Sequence, residues 1–317
     1  MEKIEVKTET TANPNAAERR EGKKRPGKLL KRGQTLFLVA MLAVPVAHWL
    51  VFWLYVNLNS ILLAFKTKIG EWSLNNFKVL FHDLGSADSS ISIGLVNTLK
   101  YFFNNVCVIM VLALIISYFM YRQIRGTKAF RIIFYLPGII SSVALTTVFE
   151  NFIAPTGPFG AVCRLIGMSD VPELLANSDY ATNTILFYCV WTGFGSNMLL
   201  FTGAMSRIPI SLIESAKLDG CGLGREIVNI ILPLIWPTIS TLLILNCTSV
   251  FSASGPILLF TQGKYRTTTI GYWIFDMVYT YNSYNMVSAA GLFFTCLGVP
   301  FILLVRWLID RVPAVDY

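Results

Sequence analysis

Residues 227–263 read IVNIILPLIWPTISTLLILNCTSVFSASGPILLFTQG, and none of these 37 residues carries a formal charge. Five further uncharged runs, of 33, 21, 18, 27 and 29 residues, cover 33–65, 101–121, 132–149, 180–206 and 277–305. A helix that crosses a bilayer needs about 20 apolar residues, with roughly 17 as the minimum. The runs therefore predict six membrane-spanning helices, near 35–58, 95–120, 131–152, 184–206, 230–252 and 285–309.

The composition of the whole chain of 317 residues agrees with this pattern. Apolar residues make up 54% and charged residues 14%, whereas a soluble domain carries about 25% charged residues. Hydrocarbon offers no hydrogen-bond partners to the backbone, so only helices and closed barrels cross it. The runs are too continuously apolar for the alternating strands of a barrel. The predicted fold class is all-α, an integral membrane protein with six transmembrane helices.

The distribution of Lys and Arg predicts which side of the membrane each loop occupies. The tail, the second and fourth predicted loops and the C-terminal end hold 19 of these residues, and the opposite side holds seven. Cytoplasmic loops carry the excess of positive charge, so both termini are expected in the cytoplasm. This topology accounts for the net charge of +8 without a nucleic-acid partner. Residues 1–33 are predicted to be a basic, disordered cytoplasmic tail, and 34–312 the transmembrane domain.

Sequence signatures of catalysis are missing. The chain has no G-x-x-x-x-G-K-[ST] phosphate loop, no G-x-S-x-G elbow and no His pair at metal-binding spacing. Its six cysteines form no C-x-x-C pair, so neither a zinc site nor a disulfide framework is predicted. Ionisable residues are also scarce in the spans, whereas carriers driven by proton or sodium gradients place them there. We therefore expect a transport protein whose energy comes from a partner.

The loop between the fourth and fifth predicted spans has the features of a short helix. Ser211 and Glu214 have the spacing of a capping box, Pro209 precedes them, and glycines beginning at Gly220 follow. The pattern predicts a helix at about 211–220 that lies parallel to the membrane, with Leu212, Ile213 and Ala216 on neighbouring faces.

This loop resembles the EAA signature of permease subunits in binding-protein-dependent ABC importers. The resemblance is carried by Glu214-Ser-Ala, Gly220 and Ile230-x-Leu232-Pro233. Asp219-Gly220 is typical of the carbohydrate branch, which includes maltose-type and glycerol-phosphate-type permeases. The resemblance covers about residues 36–312. One departure is Gly263-Lys264-Tyr265, where the family often has Gly-Gly-Pro.

The resemblance implies a permease subunit of the cell membrane, not an enzyme, that imports a sugar or oligosaccharide by alternating access. The 211–220 helix would be a coupling helix that docks on a separate cytoplasmic ATPase. That ATPase, a dimer, would hold ATP and Mg, and this chain would bind no cofactor or metal. A second permease chain and a solute-binding protein would complete the system, the latter facing loops 59–94, 153–183 and 253–284. The expected coupling residues are Glu214, Ser215, Ala216, Asp219, Gly220, Ile230, Leu232 and Pro233.

The resemblance places the solute near the middle of the membrane, between the fourth and fifth spans. Gly193 matches the family pattern, and the other candidates are chosen because sugars bind hydroxyl, amide and aromatic groups. The candidates are Trp191, Gly193, Ser196, Asn197, Asn246, Ser249 and Ser252. Small and polar residues in spans also serve helix packing, and that interpretation stays open. Two functional alternatives also stay open, namely an ABC permease for a non-sugar solute and a secondary transporter that works alone.

Overall fold

The structure is a computed structural model that describes residues 32–168 and 170–312. These residues form helices and no strand, with a single isolated bridge between Lys66 and Trp72. In chain order the helices are α1 (Gly33–Ala64), α2 (Asn75–Gly85), α3 (Ser90–Tyr121), α4 (Thr127–Ile139), α5 (Ser142–Ile153), α6 (Pro158–Leu165), α7 (Ala181–Met205), α8 (Ile210–Leu218), α9 (Leu223–Thr248), α10 (Ile257–Phe260), α11 (Ile270–Tyr279) and α12 (Tyr284–Ile309). The predicted all-α class is confirmed.

Five of the helices formed by the described residues are long and apolar enough to cross a membrane: α1, α3, α7, α9 and α12. A bent pair of helices supplies the sixth candidate span. The helices extend beyond the predicted spans, and α9 begins at Leu223, seven residues before the predicted start. Charged residues such as Lys100 and Arg225 therefore lie within helices and do not end them. The prediction of a polytopic membrane protein is confirmed.

The third predicted span, near 131–152, is not one continuous helix, and this prediction is wrong. Helix α4 ends at Ile139, and the chain bends by 105° between Thr127–Ile139 and Ser142–Leu165. Ile140 is extended, with φ −72° and ψ 144°. Pro137 lies in the last turn of α4 and lacks the backbone N–H that a continuing helix needs. An uncharged run of 18 residues does not reveal such a break.

The described chain divides into two compact units. The first ends at Leu58, and the second begins at Asn59. The first unit consists of most of α1, in which the rings of Trp49 and Trp53 stack with centroids 5.2 Å apart. Of the predicted tail, residues 1–33, only 32 and 33 are described, and they are helical. The rest of that prediction lies outside the described residues.

The core of the second unit lies where α3 packs along α7. The side chains of Met198, Phe201 and Met205 on α7 are fully buried there. The Ser117 hydroxyl on α3 donates a hydrogen bond of 3.0 Å to the carbonyl of Met198. This bond satisfies a buried polar group and fixes the register of the two helices.

The two ends of this unit are held by different interactions. At one end, which we name the Asn97 end, the Asn97 amide donates to the carbonyls of Arg266 and Thr268 over 2.7 and 2.8 Å. At the opposite end, which we name the Arg122 end, Arg122 at the end of α3 lies 3.6 Å from Glu226 in α9. Helix α8 lies at the Arg122 end, because Ile213 joins the same apolar cluster as Met120.

Candidate functional site

Helix α8 is a short rod that exposes most of its surface. Ile213 is its one buried side chain, at 5% exposure, and it packs in a cluster with Met205 and Ile208. Ile210 and Leu218 are 68% and 89% exposed. These two large apolar side chains are left largely uncovered by the other described residues.

The predicted capping box is not formed. Pro209 is the N-cap residue, no side chain caps the helix, and Ser211 and Glu214 lie inside it with exposed side chains. Proline at this position fixes the backbone at the helix start, so the helix begins two residues earlier than the serine cap would allow. The predicted C-terminal stop is present. Gly220 adopts φ +74°, and the Cys221 N–H donates to the carbonyl of Ala216 over 2.9 Å.

The remaining residues of the EAA-like signature fall into two groups, one exposed on and after α8 and one packed on α9. Ser215, Asp219 and Gly220 are exposed with Glu214 on and after α8, whereas Ala216 is half-buried. Ile230 and Leu232 on α9 pack against the apolar cluster. Pro233 follows a widened turn, Ile227–Ile231, in which the helix adopts π geometry. A wider turn relieves the clash between a proline ring and the preceding turn. The signature therefore combines an exposed part with a part that anchors α9.

A cavity of about 380 Å³, with polar and apolar groups in its wall, lies between α3, α7 and α9. Its volume is within the range of small-molecule sites, roughly 300–1,000 Å³. Four asparagines line the cavity, two from α3, one from α7 and one from α9, together with Thr192 and Ser249. The lining residues are Tyr101, Phe102, Asn104, Asn105, Ile109, Cys189, Thr192, Gly193, Asn197, Asn246, Ser249, Val250, Ala253 and Gly255. None of the described residues that line the cavity is charged.

Two asparagines meet across the cavity wall. The Asn105 amide donates to the Asn246 side-chain oxygen over 2.6 Å, and the Asn246 amide donates to the carbonyl of Leu242 over 2.9 Å. This chain of bonds ties α3 to α9 and orients the amides. At the edge of the cavity Gly255, with φ +56°, lies against the Tyr101 ring, and a Cβ there would come within 2.8 Å of it. A side chain at position 255 would therefore displace Tyr101.

The cavity contains four of the seven predicted solute contacts: Gly193, Asn197, Asn246 and Ser249. The other three lie elsewhere. Trp191 packs beside the rings of Phe149 and Tyr188, at 6.2 and 6.1 Å. Ser196 is exposed and does not line the cavity. Ser252 lines a separate groove between α9, α11 and α12.

The prediction missed the contribution of α3. Asn104 and Asn105 face the cavity, and both interrupt the apolar run of the second span. Adjacent asparagines in such a span are a signal in the sequence, because each needs a polar partner inside the membrane. The prediction considered only the fourth and fifth spans and therefore did not include them.

The sequence matches the family described as "Binding-protein-dependent transport system inner membrane component" over residues 21–313. The chain belongs to this family. It is therefore the membrane permease component of a binding-protein-dependent ABC transport system, and the predicted membrane location is confirmed. The subunits of this family are transport components and not enzymes in themselves.

Curated relatives of the permease include several ABC transporter subunits. It is 28% identical over 225 residues to the "Probable ABC transporter permease protein YesP" of Bacillus subtilis, covering 69% of this chain and 71% of the relative. It is 25% identical to the "Multiple sugar-binding transport system permease protein MsmF" of Streptococcus mutans, and the match covers 74% of this chain and 79% of the relative. It is 29% identical to the "sn-glycerol-3-phosphate transport system permease protein UgpA" of Salmonella typhimurium, and the match covers 65% of this chain and 69% of the relative.

Solved structures share the fold of the permease. A chain of a bacterial ABC transporter that imports the acidic polysaccharide alginate superposes with a TM-score of 0.75 at 24% identity, covering 88% of the permease and 97% of that chain. A chain of the alginate transporter in complex with its pentasaccharide-bound periplasmic protein gives a TM-score of 0.77, also at 24% identity, with 88% and 96% covered. These comparisons support the helical arrangement described above.

The described part of the permease contains no group of three or more His, Cys, Asp or Glu side chains that could hold a metal ion. All six cysteines are free, and Cys163 and Cys247 are buried. The candidate function rests on the cavity between α3, α7 and α9 and on the exposed surface of α8.

Proposed function

We propose that this permease moves an uncharged sugar or oligosaccharide into the cell through the cavity between α3, α7 and α9. The observation that carries this proposal is a cavity of about 380 Å³ whose wall combines amides and hydroxyls with apolar side chains and includes no charged side chain. Amide and hydroxyl groups exchange hydrogen bonds with sugar hydroxyls in both directions, because each can donate and accept. The cavity would be completed by the facing surface of a second permease chain.

We infer that the Arg122 end faces the cytoplasm and, from the distribution of Lys and Arg along the sequence, that both termini are cytoplasmic. The excess of Lys and Arg, 19 against seven, supports this orientation. Helix α8 would then be the coupling helix, docked on a partner ATPase through its exposed residues. Its exposed apolar side chains, Ile210 and Leu218, suit a protein groove better than water.

The partners follow from the family. ATP and Mg would bind to a dimer of ATPase subunits, and this chain would bind neither and no other cofactor. The Asn97 end would face the solute-binding protein, because it lies opposite α8. The related alginate transporter, solved with a periplasmic protein, supports such a partner. Sugar transport by the relative from Streptococcus mutans supports the substrate class.

A non-sugar solute is the second candidate, and the relative named for glycerol phosphate favours it. A phosphate group needs a cation or several N–H donors, however, and no Lys or Arg is among the residues that line the cavity. A secondary transporter is disfavoured for a related reason. The described cavity has no carboxylate that could carry a coupling proton.

The test uses the whole transporter, with ATPase and solute-binding protein, in proteoliposomes. Uptake of neutral oligosaccharides should depend on ATP, whereas phosphate, glycerol phosphate and amino acids should not accumulate. Uptake by this chain alone, abolished by an ionophore, would show a secondary transporter instead. Selective, ATP-dependent uptake of a charged solute would refute the assignment of a sugar as substrate and would still be consistent with an ABC transporter.

Paired variants test the cavity itself. Ser249→Ala removes a hydroxyl that lines the cavity, and Ser196→Ala removes a hydroxyl of α7 that does not line it. We expect the first to raise the KM for uptake by up to about tenfold, since a lost hydrogen bond to an uncharged group costs about 0.5–1.5 kcal/mol. The second should leave KM unchanged. Equal KM values for both variants would contradict the location of the site.

A further inference from the structure

The most buried acid among the described residues is not used by the proposed transport path. Glu226 lies in the first turns of α9, at the Arg122 end, and its side chain is 1% exposed. Burying a carboxylate is costly unless a charge or hydrogen-bond donors compensate it. A chain that keeps a buried carboxylate here therefore holds it with a specific partner.

That partner is Arg122, the C-cap residue of α3. Its Nη1 lies 3.6 Å from Glu226 Oε1, and its side chain is 25% exposed. The guanidinium also lies over the ring of Tyr118, 5.9 Å from its centroid. Glu226 Oε1 is buried and accepts no hydrogen bond among the described residues, so the charge of Arg122 is what compensates it. Each charge is at the helix end that its sign stabilises, the cation at a C-terminus and the anion at an N-terminus. The pair joins the end of α3 directly to the start of α9.

The position of the pair in the chain gives it a mechanical consequence. Helix α8 is joined to α9 by a short link that contains Gly220 and Gly222, and a Cβ at either position would meet no atom within 4 Å. Neither glycine is packed against other atoms, so the link can change its conformation without a clash. Ile213 is the only buried side chain of α8. Glu226 is the first fully buried side chain after the link, so the chain becomes anchored there.

We propose that the Arg122–Glu226 pair is a clamp that makes α3 and α9 move as one body when α8 is displaced. This inference rests on the proposed coupling role of α8. With the clamp intact, a displacement of α8 moves α3 and α9 together. These are the two helices that the Asn105–Asn246 hydrogen bond joins in the cavity wall. Without it, the glycine link absorbs part of the displacement, and the start of α9 shifts independently of α3. Arg122 and Glu226 are thus positioning residues for transport.

The experiment measures solute transported per ATP hydrolysed by the assembled transporter in proteoliposomes. We expect Glu226→Gln and Arg122→Gln to lower this ratio by about tenfold, within the roughly 5–150-fold range of coupling between sites. ATP hydrolysis per complex should persist. The exchanged pair Arg122→Glu with Glu226→Arg should restore part of the ratio and not all of it, because each charge then lies at the helix end that its sign does not stabilise. Arg125→Gln is the matched control, since Arg125 is exposed in the same loop, and its ratio should equal that of the unaltered protein.

The outcomes separate this inference from the proposed function. An unaltered transporter without ATP-dependent uptake would refute the proposed function. A coupled unaltered transporter whose Glu226→Gln variant keeps the full ratio would overturn the clamp. A fall of transport and hydrolysis in equal proportion would also overturn it, because that result indicates a loss of folded complex alone. If neither the single variants nor the exchanged pair assembled, the pair would be structural and the clamp would be rejected.

Discussion

Close contact between helices depends on single glycines, and Gly195 is the sharpest case. It lies in the middle of α7, and a Cβ there would come within 2.6 Å of the carbonyl oxygen of Phe134 on α4. Backbone atoms cannot move aside as the end of a side chain can. Gly195 therefore sets the distance at which α4, the first half of the broken span, crosses α7. Gly203, two turns further along α7, meets no atom within 4 Å.

We predict that Gly195→Ala destabilises the permease by about 1–3 kcal/mol, the usual cost of overpacking. Gly203→Ala should cost nothing, because the new methyl group has space and alanine favours a helix over glycine. The measurement is the midpoint of thermal unfolding of the purified transporter in detergent. Equal midpoints for the two variants would show that α4 and α7 are not held at this distance.

The same scale explains why the predicted capping box of α8 is not formed. Ser211 and Glu214 have the residue types and spacing of a capping box, but Pro209 supplies the N-cap and both side chains face outward. Two local signals competed within three residues, and proline prevailed because its ring fixes φ. Glu214 therefore has no capping role, which leaves its carboxylate available to a partner.

At the scale of the element, α8 has two faces with different functions. Ile213 is its anchor in the apolar cluster, and Leu218 at its last turn is 89% exposed. The sequence predicted the helix and its glycine stop. It did not reveal which apolar residue would be buried, because that depends on where the ends of α3 and α7 lie.

We predict that Ile213→Ala and Leu218→Ala affect different properties, the first the stability of the permease and the second its binding to the ATPase. The first should lower the free energy of unfolding by about 2 kcal/mol or more, since it empties a buried position. The second should leave the unfolding midpoint unchanged and weaken binding of the partner ATPase, measured by titration of the purified subunits. If Leu218→Ala bound the ATPase normally, the exposed face of α8 would not be the docking surface.

The break between α4 and α5 belongs to this scale as well. Pro137 and the extended Ile140 divide an uncharged run that the charge pattern treats as one span. Proline is common in membrane helices, where neighbouring groups satisfy the freed backbone. A proline alone therefore does not predict a bend of 105°. The surrounding helices decide whether the chain continues or turns.

For the whole molecule, the testable property is its orientation in the membrane. Leu218 at the Arg122 end and Ile69, in the loop between α1 and α2, are exposed to 89% and 82%. In a cysteine-free variant, Ile69→Cys should react with a membrane-impermeant maleimide in intact cells. Leu218→Cys, in the permease expressed without its ATPase, should react only after the membrane is opened. Labelling of Leu218→Cys in intact cells would show that the orientation is the opposite of the one proposed.

The sequence by itself determined that this chain crosses a membrane, roughly where it does so, and which loop carries the family's signature. These are properties of consecutive residues, because charge-free length and helix stop signals act locally. Only the tertiary structure decided that Asn105 meets Asn246 and that Arg122 meets Glu226. Each pair is separated by more than a hundred residues, so its meeting depends on how helices align and rotate against each other. The shape of the cavity and the connection of α8 to the spans follow from that alignment.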